Sequence, residues 1–201
     1  MIYSYAFLSM TPGAAARQAF IKRLEGRREF IASLGGEILG YFVPQLGWEA
    51  SEAALLIRWK NQPDENAMKG LLTCPEIRES LVQRLFATLR PAADATLTPG
   101  GIFVHRWFEV DGENLDEFLK LSGEGWEDFE PRFDARVFGL FRDEGPLPDG
   151  SRRLLLITRY KDHGVWEESR DPSTAAMQAF GRRRALTKRT SAASSLLVPI
   201  G

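Results

Sequence analysis

Two histidines, His105 and His163, stand in a chain of 201 residues. His105 lies inside the apolar run from Ile102 to Val110, with Phe103 and Trp107 two residues to either side. An imidazole that titrates near neutrality suits a general base or a haem ligand. The competing role is a hydrogen-bonded histidine in a packed aromatic layer. His163, in Lys161-Asp162-His163-Gly164, falls in a turn-like stretch and reads as surface. Arg58 and Arg159 hold matching places in two similar strands, and a guanidinium pair facing one interior could grip a carboxylate through paired hydrogen bonds. Each could equally close a structural salt bridge near its strand end. Arg106, next to His105, is a third cation for an anionic group. Tyr5 and Trp107 offer flat apolar surface to a planar ligand, although aromatic stripes on strands also build cores. The candidate set is therefore His105 as catalytic residue, with Arg58, Arg106, Arg159, Tyr5 and Trp107 around a ligand. Cys74, ahead of Pro75, has no histidine partner in sequence and reads as a cap or filler. No spacing suits a metal, and Gly35-Gly36 and Gly100-Gly101 read as turns rather than a phosphate loop.

The elements that carry these residues come twice. Leu55–Lys60 and Leu156–Lys161 share an apolar run closed by Arg, an aromatic residue and Lys, half a chain length apart. Tyr5 then matches His105, Phe7 matches Trp107, Gly40 and Phe42 match Gly139 and Phe141, and Leu97 matches Leu197. In the first half, period-two patterning predicts strands over 2–10, 37–45 and 53–60. A helix follows Thr11-Pro12-Gly13, with Ala16, Phe20, Leu24, Ile31 and Leu34 on its apolar stripe. Pro63-Asp64 leads into a short helix. Ile77, Leu81, Leu85 and Leu89, four apart, predict a longer one, and Ala95–Thr98 a last strand. In the second half, strands are predicted over 102–110, 135–141, 153–161 and 195–198. Helices are predicted over 111–133 and from Asp171-Pro172 onward. Each half reads β-α-β-β-α-β, the ferredoxin-like arrangement, with domains at 1–100 and 101–201. Such a sheet leaves one face bare, and a second copy covers it. The expected fold is α+β, two tandem ferredoxin-like repeats whose bare sheet faces meet in a sandwich or a closed barrel.

Composition sets the wider bounds. Lys+Arg 26 against Asp+Glu 27 gives a net charge of −1, so no global field draws the chain to nucleic acid or an anionic membrane. The run Arg182–Arg189 is better matched to the acidic helix over 111–133 than to nucleic acid. One cysteine fits a reducing compartment, and no apolar run spans a bilayer, so a cytoplasmic protein is expected.

The residues His105-Arg106-Trp107-Phe108-Glu109-Val110 followed by Glu113–Phe118, the stretch Gly40–Gly47 leading into Leu55–Lys60, and Arg170-Asp171-Pro172 resemble the NIPSNAP family. That family sits within the dimeric α/β-barrel superfamily, and the likeness covers nearly the whole chain as two copies. It implies a ferredoxin-like fold and barrel-forming association, so that the two repeats would form a pseudo-dimeric α/β barrel, and no established chemistry. The wider superfamily holds cofactor-free monooxygenases, haem-degrading enzymes, chlorite-dismutase-like haem proteins and muconolactone isomerases. None of their catalytic sets matches this chain residue by residue, and fold alone does not assign a reaction. Three functions are expected from this reading. The first is binding of a small, partly apolar or aromatic ligand between the two sheets, with no cofactor. The second is a cofactor-free or haem-dependent monooxygenase or isomerase. The third is a structural module that assembles as a homodimer.

Overall fold

A computed structural model describes residues 1–62 and 65–200; Pro63-Asp64, the expected lead into a helix, lies outside the described residues. The elements are β1 (Ile2–Met10), α1 (Ala14–Ser33), β2 (Gly36–Leu46), β3 (Glu52–Trp59), α2 (Glu65–Leu72) and β4 (Ile77–Arg90). They continue with β5 (Ile102–Val110), a short 3₁₀ turn at Gly112–Asn114, α3 (Leu115–Arg132), β6 (Ala135–Asp143) and β7 (Arg152–Tyr160). The chain then forms α4 (His163–Glu168), α5 (Ala175–Ala185) and β8 (Thr187–Val198). Among the described residues no helix is long and apolar enough to cross a membrane.

Two compact units divide the chain. The first holds residues 1–86, 96–99 and the chain from Ser195 on, and the second holds 87–95 and 100–194. In the first unit β1 lies antiparallel between β4 and β3, and β2 pairs with the far side of β3. In the second, β7 lies antiparallel between β5 and β6. The registers coincide residue for residue. Ser4 opposes Ile57 and Tyr5 opposes Leu56, as Val104 opposes Thr158 and His105 opposes Ile157. The bulge recurs too, between Ile38 and Gly40 in one unit and between Val137 and Gly139 in the other.

Each unit packs its helices on one face of its strands. In the first, Phe20, Leu24 and Ile31 of α1 meet Leu8, Leu55 and Trp59. Their spacing brings all three to one side of the helix. The helix stops at Gly35, whose positive φ of 78° lets its N–H reach back to the Ala32 carbonyl at 2.9 Å. In the second unit Phe118 and Trp126 of α3 pack on Phe108, Leu140, Leu154 and Leu156. There α3 and α5 approach closely at Gly125, where a Cβ would overlap the Phe180 ring.

Several expected elements are corrected. The stretch 77–89 is strand β4, not a helix, and 95–98 is no strand. A spacing of four satisfies both periods, since Ile77, Leu81, Leu85 and Leu89 also share one face of a strand. The β-α-β-β-α-β order survives because the short helix α2 is the second helix of its unit. Gly13, not Thr11, sits at the start of α1; the Thr11 hydroxyl donates instead to the Pro75 carbonyl at 2.8 Å. The last helix starts after Thr174, whose hydroxyl accepts the Met177 N–H, and α4 had no sequence signal. The basic run breaks at Leu186, so Lys188 and Arg189 belong to β8. Among the described residues, Arg182 is the one member of the run that pairs with a carboxylate of α3, Glu124 at 3.4 Å. Lys188 bridges Asp111 and Asp149, at 2.7 and 3.2 Å.

Candidate functional site

Alternation along β5 sends Arg106, Phe108 and Val110 to the helix side and His105 and Trp107 to the other. Alternation along β7 sends Leu156, Thr158 and Tyr160 to that same helix side. Between these strands and the unit's own helices lies a cavity of about 270 Å³. Arg106, Phe108, Thr158 and Tyr160 form its sheet wall. Trp126 and Phe129 of α3 and Phe180 and Arg183 of α5 form its helix wall. Of the remaining lining, Arg170, Arg184 and Thr190 are exposed and mark the opening, and Ser169 is buried.

Four arginines thus line one small volume. Its lining holds no aspartate, glutamate, histidine or cysteine. Among the described residues none of the four forms an ion pair with a carboxylate. Arg183 is the deepest, 7% exposed. Its guanidinium carbon lies 4.6 Å from the centroid of the Phe180 ring and 4.9 Å from that of Phe108. Its Nη1 donates to the Ser122 hydroxyl at 3.2 Å, and Ser122 in turn donates to the Phe118 carbonyl. Contact with ring faces offsets part of the cost of burying the charge, but a guanidinium carries five donors and most of these stay unmatched. Burial, reinforced by the like charge of Arg106, holds Arg183 below the usual arginine range. Burial also lowers Arg106, with Arg170 and Arg184 adding repulsion and Tyr160 opposing it. Burial raises the Tyr160 phenol against the pull of Arg106. Trp126 adds an indole N–H that is buried without an acceptor.

The first unit closes the equivalent volume. Where the second has Arg106, Thr158 and Tyr160, the matching register positions hold Ala6, Ile57 and Trp59, all fully buried in its core. A separate cavity of about 240 Å³ in the first unit lies between α1 and α2, beside Arg27, Phe30 and Leu71. It lacks the converging cations.

Of the candidates named from sequence, only Arg106 reaches the arginine-lined cavity. His105, Trp107 and Arg159 occupy the opposite face of the same strands. Arg159 pairs with Asp134 at 3.1 Å and donates to the Gly100 carbonyl at 3.0 Å. Arg58, in the first unit, is buried and paired with Glu37. Both therefore have the strand-end salt bridge that was the competing reading. Tyr5 is fully buried in the first unit, and burial raises its phenol far above the ordinary range. The cavity does not lie in a cleft between two sheets; it lies between the second unit's strands and helices. Arg170, Arg183, Arg184, Trp126, Thr158 and Tyr160 went unnoticed as site residues. A signal was present: Ala6 against Arg106 and Ile57 against Thr158 are the places where matched strands change character.

No family model and no curated protein matches the chain. Solved structures do. A point mutant of the chlorite dismutase from Candidatus Nitrospira defluvii superposes with a TM-score of 0.69 at 8% identity, over 99% of this chain and 92% of that one. A candidate monooxygenase from Lactobacillus acidophilus NCFM gives 0.63 at 9% identity, over 98% and 93%. An anthrone oxidase-like protein gives 0.60 at 14% identity, over 98% and 91%. The chain has the dimeric α/β-barrel fold. At these identities the likeness is one of fold. The narrower resemblance to NIPSNAP proteins has no matching family model beside it.

A haem is one of the cofactors expected from the sequence. The arginine-lined cavity contains no imidazole or thiolate to ligate iron. His105 is 1% exposed and lines neither cavity described above. The residues lining this cavity do not fit a haem. Among the described residues no cluster of His, Cys, Asp and Glu could hold a metal ion.

Proposed function

We propose that the cavity of the second unit binds a small organic acid with an apolar or aromatic body. Arg183 carries this reading: a buried guanidinium, ringed by phenylalanines, with no carboxylate of its own. A charge left unpaired inside a protein is costly, and a bound anion would offset that cost with charge-assisted hydrogen bonds. The aromatic walls supply the apolar contact, and the Trp126 N–H awaits an acceptor. The coinciding registers and bulges of the two units support their reading as tandem copies, of which one kept a filled core and the other opened a site.

The enzymatic alternative, a cofactor-free monooxygenase or isomerase, draws support from the descriptions of the structural neighbours. Such chemistry needs a proton acceptor beside the substrate. The cavity lining has no carboxylate or imidazole, and the Tyr160 phenol is shifted upward, so the geometry favours binding and orientation.

Native mass spectrometry of protein taken from its own cells, together with the Arg183→Met variant, tests the reading. Wild type should carry an acid of this class, and the variant should lose it. The variant should melt at the wild-type temperature or above, because an apolar side chain of similar length replaces an unpaired buried charge. For a readily supplied probe such as para-toluate, the variant should bind about tenfold to a hundredfold more weakly, the loss of one or two charge-assisted hydrogen bonds. Wild type that arrives empty, and whose melting does not respond to aromatic acids, overturns the proposal.

A further inference from the structure

Resting on that reading, we infer that the ligand is a dianion, with an apolar, ring-sized body and an acidic group at each end. The four arginines sit at two depths. Arg183 is enclosed and Arg106 is half-buried, whereas Arg170 and Arg184 are exposed at the opening. Successive residues on a helix point about 100° apart. Arg183 therefore turns in toward Phe108 and Phe180, while its neighbour Arg184 stays at the mouth. Phe129, Phe180 and Trp126 add aromatic wall to the same cavity.

A monoanion would satisfy one level and leave the other as a cluster of like charges with no carboxylate among them. The mutual repulsion is already visible in Arg106, which Arg170 and Arg184 both push downward after burial. A second acidic group at the mouth neutralises that cluster. Size agrees: a cavity of about 150 Å³ is enough to take up benzene, and the volume here is about 270 Å³. The space beyond a benzene-sized ring leaves room for two carboxylates.

Calorimetric titration of the full chain with para-toluate and terephthalate, at constant ionic strength, separates one charge from two on the same ring. Biphenyl monocarboxylate and dicarboxylate repeat the comparison at greater length. At least one dianion should bind about tenfold tighter than its monoacid, the gain of a further charge-assisted contact. In the Arg170→Gln/Arg184→Gln double variant, the advantage of that dianion over its monoacid should disappear. Both positions are exposed, so melting should not move. Equal affinity within both pairs of acids overturns the dianion while leaving the anion site standing. A double variant that weakens both acids alike overturns the second anchor. Wild type that binds none of the four probes overturns the dianion and the underlying site together.

Discussion

At pH 4 the protein should be about 3 kcal/mol less stable than at pH 7 on account of one buried imidazole. Burial alone holds His105 down to about 3, against 6.5 for an ordinary histidine. Between those values the unfolded chain binds a proton that the folded chain refuses. The contribution is complete above about pH 6.5 and is lost as the pH falls toward 3, at about 1.4 kcal/mol per unit. Urea denaturation at half-unit steps from pH 7 to pH 4 measures the slope. Carboxylates held low by their partners, such as Asp128 and Asp149, add their own losses only at the acid end. The span from pH 6.5 to 5 therefore belongs to the imidazole. His105→Gln keeps a hydrogen-bonding side chain of similar size without the titrating proton. It should be flat over that span, whatever its absolute stability. A wild type that is equally flat would show that His105 is open to protonation in the fold, and would restore it as a candidate base.

Trp59→Ala should cost about 4 kcal/mol, the middle of the range for deleting a large buried aromatic side chain. Trp59 is fully buried at the end of β3, where Ile2 and Gly36 flank it across the ladder. A Cβ on Gly36 would come within 2.6 Å of its ring, so the two positions are cut to fit each other. The indole N–H donates to the Ser4 hydroxyl at 3.0 Å. Truncation leaves a void where the ring stood and strips the buried Ser4 hydroxyl of its donor, and the two losses add. Chemical denaturation should show the midpoint moving with an unchanged slope. Trp59→Phe, which keeps most of the ring volume, should lose less than half as much. Equal losses in the two variants would mean that the hydrogen bond, rather than the packed volume, holds this corner.

Period-two patterning located six of the eight strands from local residues, because a half-buried strand writes its burial into alternate positions. The echo of Leu55–Lys60 in Leu156–Lys161 marked two strands whose pairings prove equivalent. Strand β4 was misread because a four-residue spacing belongs to both periods, and only pairing with β1 decides between them. The beginning of β8, Thr187–Ser194, is small and polar and carries no period. The cavity left one trace in the sequence, the change from Ala6 to Arg106 and from Ile57 to Thr158 between the matched strands. Arg106, Thr158, Trp126 and Arg183 are distributed over two strands and two helices, and nothing in their spacing announces that they meet. Which arginine is paired and which is left bare is likewise a matter of neighbours. Arg58 and Arg159 look like a ligand clamp in sequence and are taken up by Glu37 and Asp134. Arg183 looks like part of a solvated basic run and is enclosed by aromatic rings. The sequence by itself determined the element types of most of the chain and the β-α-β-β-α-β order within each unit, since both depend on patterns a few residues long. Only the tertiary structure decided the site, because burial and charge pairing are set by residues far apart in the chain that packing brings together.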